Sequence, residues 1–148
     1  VGVFDGNLVP VFAEILRELG RKTAWVVHGL TDDGRGMDEL STLGSNRIAK
    51  LEAGTINIMT LDPASLGFAG AKVADLAGGD PQENAETLEG ILACRIKGPR
   101  RDLVVLNAAA GFVITGKAAG LAEGRKLAED LLDRGAAHAR LRTLLDWC

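Results

Sequence analysis

The sequence predicts an α/β fold that becomes rich in helix towards its carboxyl end. Three observations predict it. An amphipathic run at 7–20 is followed at once by a short apolar, β-branched segment at 23–29, and helix followed by buried strand is the repeating unit of α/β layers. A second stretch, 47–61, alternates in polarity about a glycine-containing turn. The last third is built from Ala, Leu, Arg and Glu in helical period.

Each element follows from its residues. In NLVPVFAEILRELG, Val9, Phe12, Ile15, Leu16 and Leu19 recur at helical spacing and predict one buried face. Pro10 fits only a first turn, so the helix begins near Asn7 or Leu8, and Gly20 ends it. TAWVVHG is too short for a buried helix and reads as a strand. Leu30 to Met37 holds two glycines and two aspartates and reads as a loop, with ELST (39–42) as a possible short strand after it. Residues 47–61 read as a hairpin turning at Ala53-Gly54. Asp80, Pro81 and Glu83 supply an N-cap, a first helical residue and a capping-box acid. The stretch 102–115 reads as helix, because its alanines outweigh Val104-Val105. A helix closing at Gly135 and a further one to Trp147 complete the chain.

The bulk numbers exclude several classes. A chain of 148 residues, 47% hydrophobic and 25% charged, can bury a core and is not disordered. A net charge of -3 does not suggest a polyanion partner. No apolar run approaches the ~20 residues that cross a bilayer. Cys94 and Cys148 make neither a disulfide framework nor a ligand spacing, which points to a reducing cytoplasm.

The stretch WVVHGLTDDGRGMDELS carries the chemistry. Asp38 and Glu39 stand together at the end of a glycine-rich loop. Adjacent carboxylates of this kind suit Mg²⁺, a hard cation that keeps several waters and is held by one or two carboxylates plus substrate phosphates. The alternative is a solvated acidic loop. His28 and Gly29 lie at the carboxyl end of the predicted strand, where open α/β sheets bind ligands. Gly78-Gly79-Asp80 resembles a phosphate loop, but Asp80 as N-cap would satisfy the free amides and repel phosphate. Lys97, Arg100 and Arg101 read as a solvated basic turn, Asn84 and Asn107 as backbone-stitching amides, Cys94 as a small buried residue and His138 as partnerless. No nucleophilic triad can be assembled.

Taken in order, VGVFDGNLVPVFAEILRELG, AWVVHG, GMDELS, GTINIMTLDPASLGF, DLAGGDPQENAETLEGIL and LVVLNAAAGFVITGKAAGLAEGRKLAEDLLDRGAA resemble the carboxyl-terminal portion of the anthranilate phosphoribosyltransferase family, from Val1 to about Leu141. The resemblance implies that residues 1–148 are part of a large α/β domain of the nucleoside phosphorylase/anthranilate phosphoribosyltransferase type, with a mixed sheet. It also implies transfer of a phosphoribosyl group from phosphoribosyl pyrophosphate to anthranilate, with loss of pyrophosphate, in tryptophan biosynthesis. On this resemblance Asp38 and Glu39 match the acids that hold Mg²⁺ against the pyrophosphate. The small helical domain, through which family members dimerise, and a GTGGD loop are implied elsewhere in the enzyme. The family's Gly-Pro-Thr-type stretch is replaced by Gly44-Ser45-Asn46. The chain is thus expected to be a fragment, inactive alone, whose Val1–Phe4 reads like the end of a buried segment. A pyrimidine-nucleoside phosphorylase-like enzyme and a nucleic-acid-binding relative are the competing readings.

Overall fold

The structure is a computed structural model describing residues 1–68 and 70–147. Ala69 and Cys148, the second of the two cysteines, lie outside the described residues. The chain divides into two compact units, Val1–Val73 and Ala74–Cys148.

In the first unit, helix α1 (Leu8–Glu18) is followed by strand β1 (Thr23–Leu30), the two-residue β2 (Gly36–Met37), β3 (Asn46–Glu52) and β4 (Thr55–Leu61). The sheet order is β2-β1-β3-β4, with every pairing antiparallel. Residues 1–3 run parallel to β1 instead: Val3 N–H donates to the Val27 carbonyl at 2.9 Å and Val27 N–H to that of Val1 at 2.9 Å. The β-structure is therefore mixed, and Val1–Phe4 begins as an extended segment with Val3 buried. The hairpin turns where expected, with Ala53 and Gly54 both at positive φ (47° and 84°), as a tight two-residue turn requires. α1 ends at a left-handed Gly20 (φ 73°).

Val26 and Ala49, opposed across β1 and β3, join Val3, Val9 and Ala13 in a core roofed by α1. On the other sheet face Trp25 is buried and carries Lys50, its cross-strand partner, 4.4 Å over its ring.

Three expectations need correcting. Leu30–Met37 is not wholly loop, because Leu30 completes β1 and Gly36–Met37 pair with it. ELST forms no strand. The buried Asn46 side chain takes the place of a strand partner there: Oδ1 accepts from Ser41 N–H at 2.6 Å while Nδ2 donates to the carbonyls of Ser41 (2.9 Å) and Gly44 (3.2 Å). The apolar face of α1 is only partly used. Val9 and Ala13 are buried, whereas Phe12, Ile15 and Leu19 are exposed.

A 3-10 turn (Pro63–Leu66) and a one-turn helix α2 (Val73–Leu76) lead to the second unit, which is helical: α3 (Pro81–Leu92), α4 (Pro99–Ile114), α5 (Leu121–Asp133) and α6 (Ala136–Leu145). α3 has the full capping box, with Asp80 accepting from Glu83 N–H at 2.9 Å and Glu83 from Asp80 N–H at 3.1 Å. α4 spans the stretch read as helix, and Gly135 (φ 74°) separates α5 from α6. α4 packs on α5, burying Val105, Leu106, Ala109, Ala128 and Leu132. Asn84 and Asn107 do stitch backbone, to Gly79 and Leu103 respectively, although Asn84 is exposed rather than buried.

The basic turn is the largest departure in this unit. Arg100 and Arg101 lie inside α4. Arg101 is buried and its Nη2 donates to Asp133 Oδ1 at 2.8 Å. Arg100 donates to the carbonyls of Asp75 and Ala77 and to Thr87 Oγ1. Cys94 is partly exposed, not buried. It adopts φ 60° as the left-handed residue that ends α3, its N–H reaching Ile91 O and that of Arg95 reaching Gly90 O. Its thiol donates to Asp133 Oδ1 at 3.0 Å and accepts from Lys97 Nζ at 2.6 Å. His138 has a partner after all, Glu89 at 3.4 Å. No helix among the described residues is long and apolar enough to cross a membrane.

Candidate functional site

His28 and Gly29 lie at the carboxyl end of β1, and Asp38 and Glu39 follow directly on β2, which pairs with it. β1 is apolar because both its faces are covered, and strand alternation sends His28 and Gly29 to opposite faces. Gly29 faces away from α1. A Cβ there would lie 2.6 Å from the Glu39 carbonyl oxygen and 2.8 Å from Ser41 N, so only glycine lets the chain after Glu39 lie against the strand. Gly2 does the same from the parallel segment, since a Cβ on it would collide with the Asp38 carbonyl. Two glycines, one on each neighbouring segment, thus seat the backbone of the acidic pair. Asn46 fixes the next turn through Ser41.

Asp38 is exposed and Glu39 half-buried. The Glu39 carboxyl is pushed above its ordinary range, first by burial and then by the charge of Asp38. Crowded anions of this kind are relieved by a cation. Among the described residues no group of three or more His, Cys, Asp or Glu side chains comes together. A metal held by Asp38 and Glu39 would have a donor set of two carboxylates. That fits Mg²⁺ retaining waters and sharing a phosphate, and does not fit a closed protein cage such as structural Zn²⁺ demands.

His28 projects from the α1 side of the sheet. Its buried ring lies against Gly6, and its Nδ1 is 3.0 Å from the Val3 carbonyl, to which an Nδ1–H donates. This tautomer leaves Nε2 as the acceptor. His28 borders a cleft of about 320 Å³ whose walls include Leu30, Ser45, Arg47, Ile58 and Thr60. Asp38 and Glu39 are chain neighbours whose charges interact. The structure places His28 on the α1 face of the sheet, while the backbone after Glu39 passes over the opposite face.

Sequence reasoning missed Gly2, Asn46 and Arg47. Arg47 stands directly opposite His28 across β1 and β3, and its Nη1 donates to the Gly6 carbonyl at 3.0 Å. The register of β1 against β3, which places residue 47 opposite residue 28, is what finds it.

The α/β unit, with its acidic pair just beyond β2, is that of a glycosyl transferase: the chain belongs to the glycosyl transferase family, a/b domain, whose model matches residues 1–138. The following relatives carry one name. Anthranilate phosphoribosyltransferase from Parvibaculum lavamentivorans is 43% identical over 145 residues, 98% of this chain and 41% of the relative. That from Haloferax volcanii is 43% identical over 95% of this chain and 41% of the relative. The crystal structure of anthranilate phosphoribosyltransferase from Thermus thermophilus superposes with a TM-score of 0.84 at 36% identity, over 96% of this chain and 40% of that one. The Saccharomyces cerevisiae enzyme in complex with PRPP and Mg shares the fold at a TM-score of 0.85 and 22% identity, over 98% of this chain and 41% of that one. The chain spans about two-fifths of the length of the relatives it matches.

Proposed function

We propose that this chain supplies the metal-holding edge of a cytoplasmic anthranilate phosphoribosyltransferase, an enzyme that moves the phosphoribosyl group of phosphoribosyl pyrophosphate onto the amine of anthranilate and releases pyrophosphate. The observation that carries the reading is the Asp38–Glu39 pair, seated by Gly2 and Gly29 and electrostatically crowded. The name borne by relatives 43% identical supports the choice of substrates.

Asp38 and Glu39 would hold Mg²⁺, whose charge would offset that of the departing pyrophosphate. The work of the protein is then positional and electrostatic. Gly2, Gly29 and Asn46 fix the two carboxylates, while His28 and Gly29 form the strand end that borders substrate. No nucleophilic side chain is required, because the reaction exchanges one bond at the ribose C1 for another and its transition state gathers positive charge. The remaining site, including the anthranilate contacts, belongs to the part of the fold that this chain does not span, as does the surface through which the complete enzyme would form a homodimer. The nucleic-acid reading loses its support, since Arg100 and Arg101 are tied into the protein rather than presented to a polyanion.

The test is turnover in a complete enzyme carrying this segment. Asp38→Asn should raise the Mg²⁺ concentration needed for half-maximal rate by roughly 10–100-fold, and an unchanged Mg²⁺ dependence would refute the metal role. The isolated chain should catalyse no phosphoribosyl transfer.

A further inference from the structure

We propose that Cys94 and Lys97 form an oxidative modification site, at which dioxygen joins the thiol sulfur to the lysine nitrogen through a single oxygen atom. The two side chains meet between the end of α3 and the start of α4, three residues apart. Lys97 Nζ stands 2.6 Å from Cys94 Sγ. A nitrogen-to-oxygen hydrogen bond takes about 2.7–3.2 Å, and sulfur is the larger acceptor. The pair is thus closer than a hydrogen bond requires, at the separation of two atoms that share one bridging oxygen.

A fixed carboxylate faces both reactants. Asp133 of α5 presents a single oxygen, Oδ1, which accepts from the Cys94 thiol at 3.0 Å and from Lys97 Nζ at 3.2 Å. Arg101 of α4, only 8% exposed, donates to the same oxygen at 2.8 Å and anchors it from the interior. The Lys97 side chain is 59% exposed and Cys94 is partly exposed, so a small dissolved oxidant reaches them. The whole cluster lies in the helical unit and serves no step of the metal edge, so the inference does not rest on the metal reading.

The Lys97 ammonium first yields one proton to solvent. The thiol S–H and one amine N–H then break, S–O and O–N bonds form, and the O–O bond of dioxygen is cleaved. The second oxygen leaves as water with those two hydrogens, the thiol's passing by way of Asp133. Dioxygen takes up four electrons, two from sulfur and two from nitrogen. Sulfur ends at the level of a sulfenic acid, the reversible first rung of cysteine oxidation, so thiols should reopen the link.

The test uses the full 148-residue chain carrying Cys148→Ser, which leaves one thiol. The Cys94 sulfur and then Asp133 hold the Lys97 ammonium above its ordinary range. Incubation is therefore at about pH 9, where more lysine is free amine. One sample is kept under dioxygen and one without it, and both are read by intact mass and tryptic mapping. Under dioxygen alone, the mass should rise by one oxygen less two hydrogens, and peptides 73–95 and 96–100 should be found joined, with no cleavage after Lys97. Dithiothreitol should restore the original mass. Lys97→Arg keeps a cation and should abolish the joined species with its circular dichroism unchanged. An unaltered mass under dioxygen, oxygen gained with no hydrogen lost, hydrogen lost with no oxygen gained, or joined peptides in Lys97→Arg would each overturn the proposal.

Discussion

Glu39 and Asp133 are both carboxylates in crowded polar settings, and they are perturbed in opposite directions. Asp133 is surrounded by donors: the Cys94 thiol and the Lys97 ammonium hydrogen-bond to it, Arg101 adds its charge, and together they hold it down to about 2. Glu39 is pushed up, by burial and by the neighbouring charge of Asp38. Asp133 is tied into the scaffold by its donors, whereas Glu39, raised by burial and by Asp38, is one of the two acids proposed above to hold Mg²⁺. The sequence singles out Glu39 through its neighbour Asp38, whereas the partners of Asp133 emerge only in three dimensions.

The contrast breaks most visibly at the metal. In a complete enzyme Glu39→Gln, like Asp38→Asn, should cost at least about tenfold in Mg²⁺ affinity, measured by titrating the rate, with the melting temperature little changed. Asp133→Asn should do the reverse, lowering the melting temperature while Mg²⁺ dependence stays put. A drop in metal affinity for Asp133→Asn would erase the distinction.

Asn46→Ala comes next. It deletes four hydrogen bonds from a buried side chain, to Ser41 N–H and to the carbonyls of Ser41, Gly44 and Leu61, and leaves those groups dry. The expected loss is about 2–3 kcal/mol by chemical denaturation. Looser seating of Asp38 and Glu39 should accompany it.

The smallest effects lie in the pH dependence, where the two acids predict opposite limbs. Asp133 has a folded-state pKa below its ordinary 3.8, so its stabilisation is present above 3.8 and fades as pH falls towards about 2. The gap in melting temperature between wild type and Asp133→Asn should close over that window. Glu39 has a folded-state pKa above 4.5, so the folded state binds its proton more tightly, and stability falls as pH rises from 4.5 through the raised value. Without Mg²⁺, Glu39→Gln should therefore melt higher than wild type at neutral pH, and that advantage should vanish below 4.5. Parallel limbs for the two variants would contradict the assignment.

What could be read from the sequence was local. Asp80, Pro81 and Glu83 announce a helix start because a capping box closes within four residues, and Ala53-Gly54 announces a turn for the same reason. The acidic pair stood out because its two carboxylates occupy adjacent positions. What could not be read joins distant segments. The parallel pairing of Gly2 with Val27 and the Cys94–Asp133 contact, 39 residues apart, leave no periodic trace. ELST misleads because a single side chain, Asn46, does the work of a strand partner. The helical period of α1 reports how many apolar positions it has, but not which of them are buried.

The most direct test needs only the chain itself. Mn²⁺, standing in for Mg²⁺, is titrated with inorganic pyrophosphate into isotopically labelled protein while amide resonances are followed by NMR. The account predicts selective paramagnetic broadening at Gly2, Gly29, Asp38 and Glu39, abolished by Asp38→Asn/Glu39→Gln. Broadening centred instead on the acids of α3, Glu83, Glu86 and Glu89, or unchanged in the double variant, would contradict it.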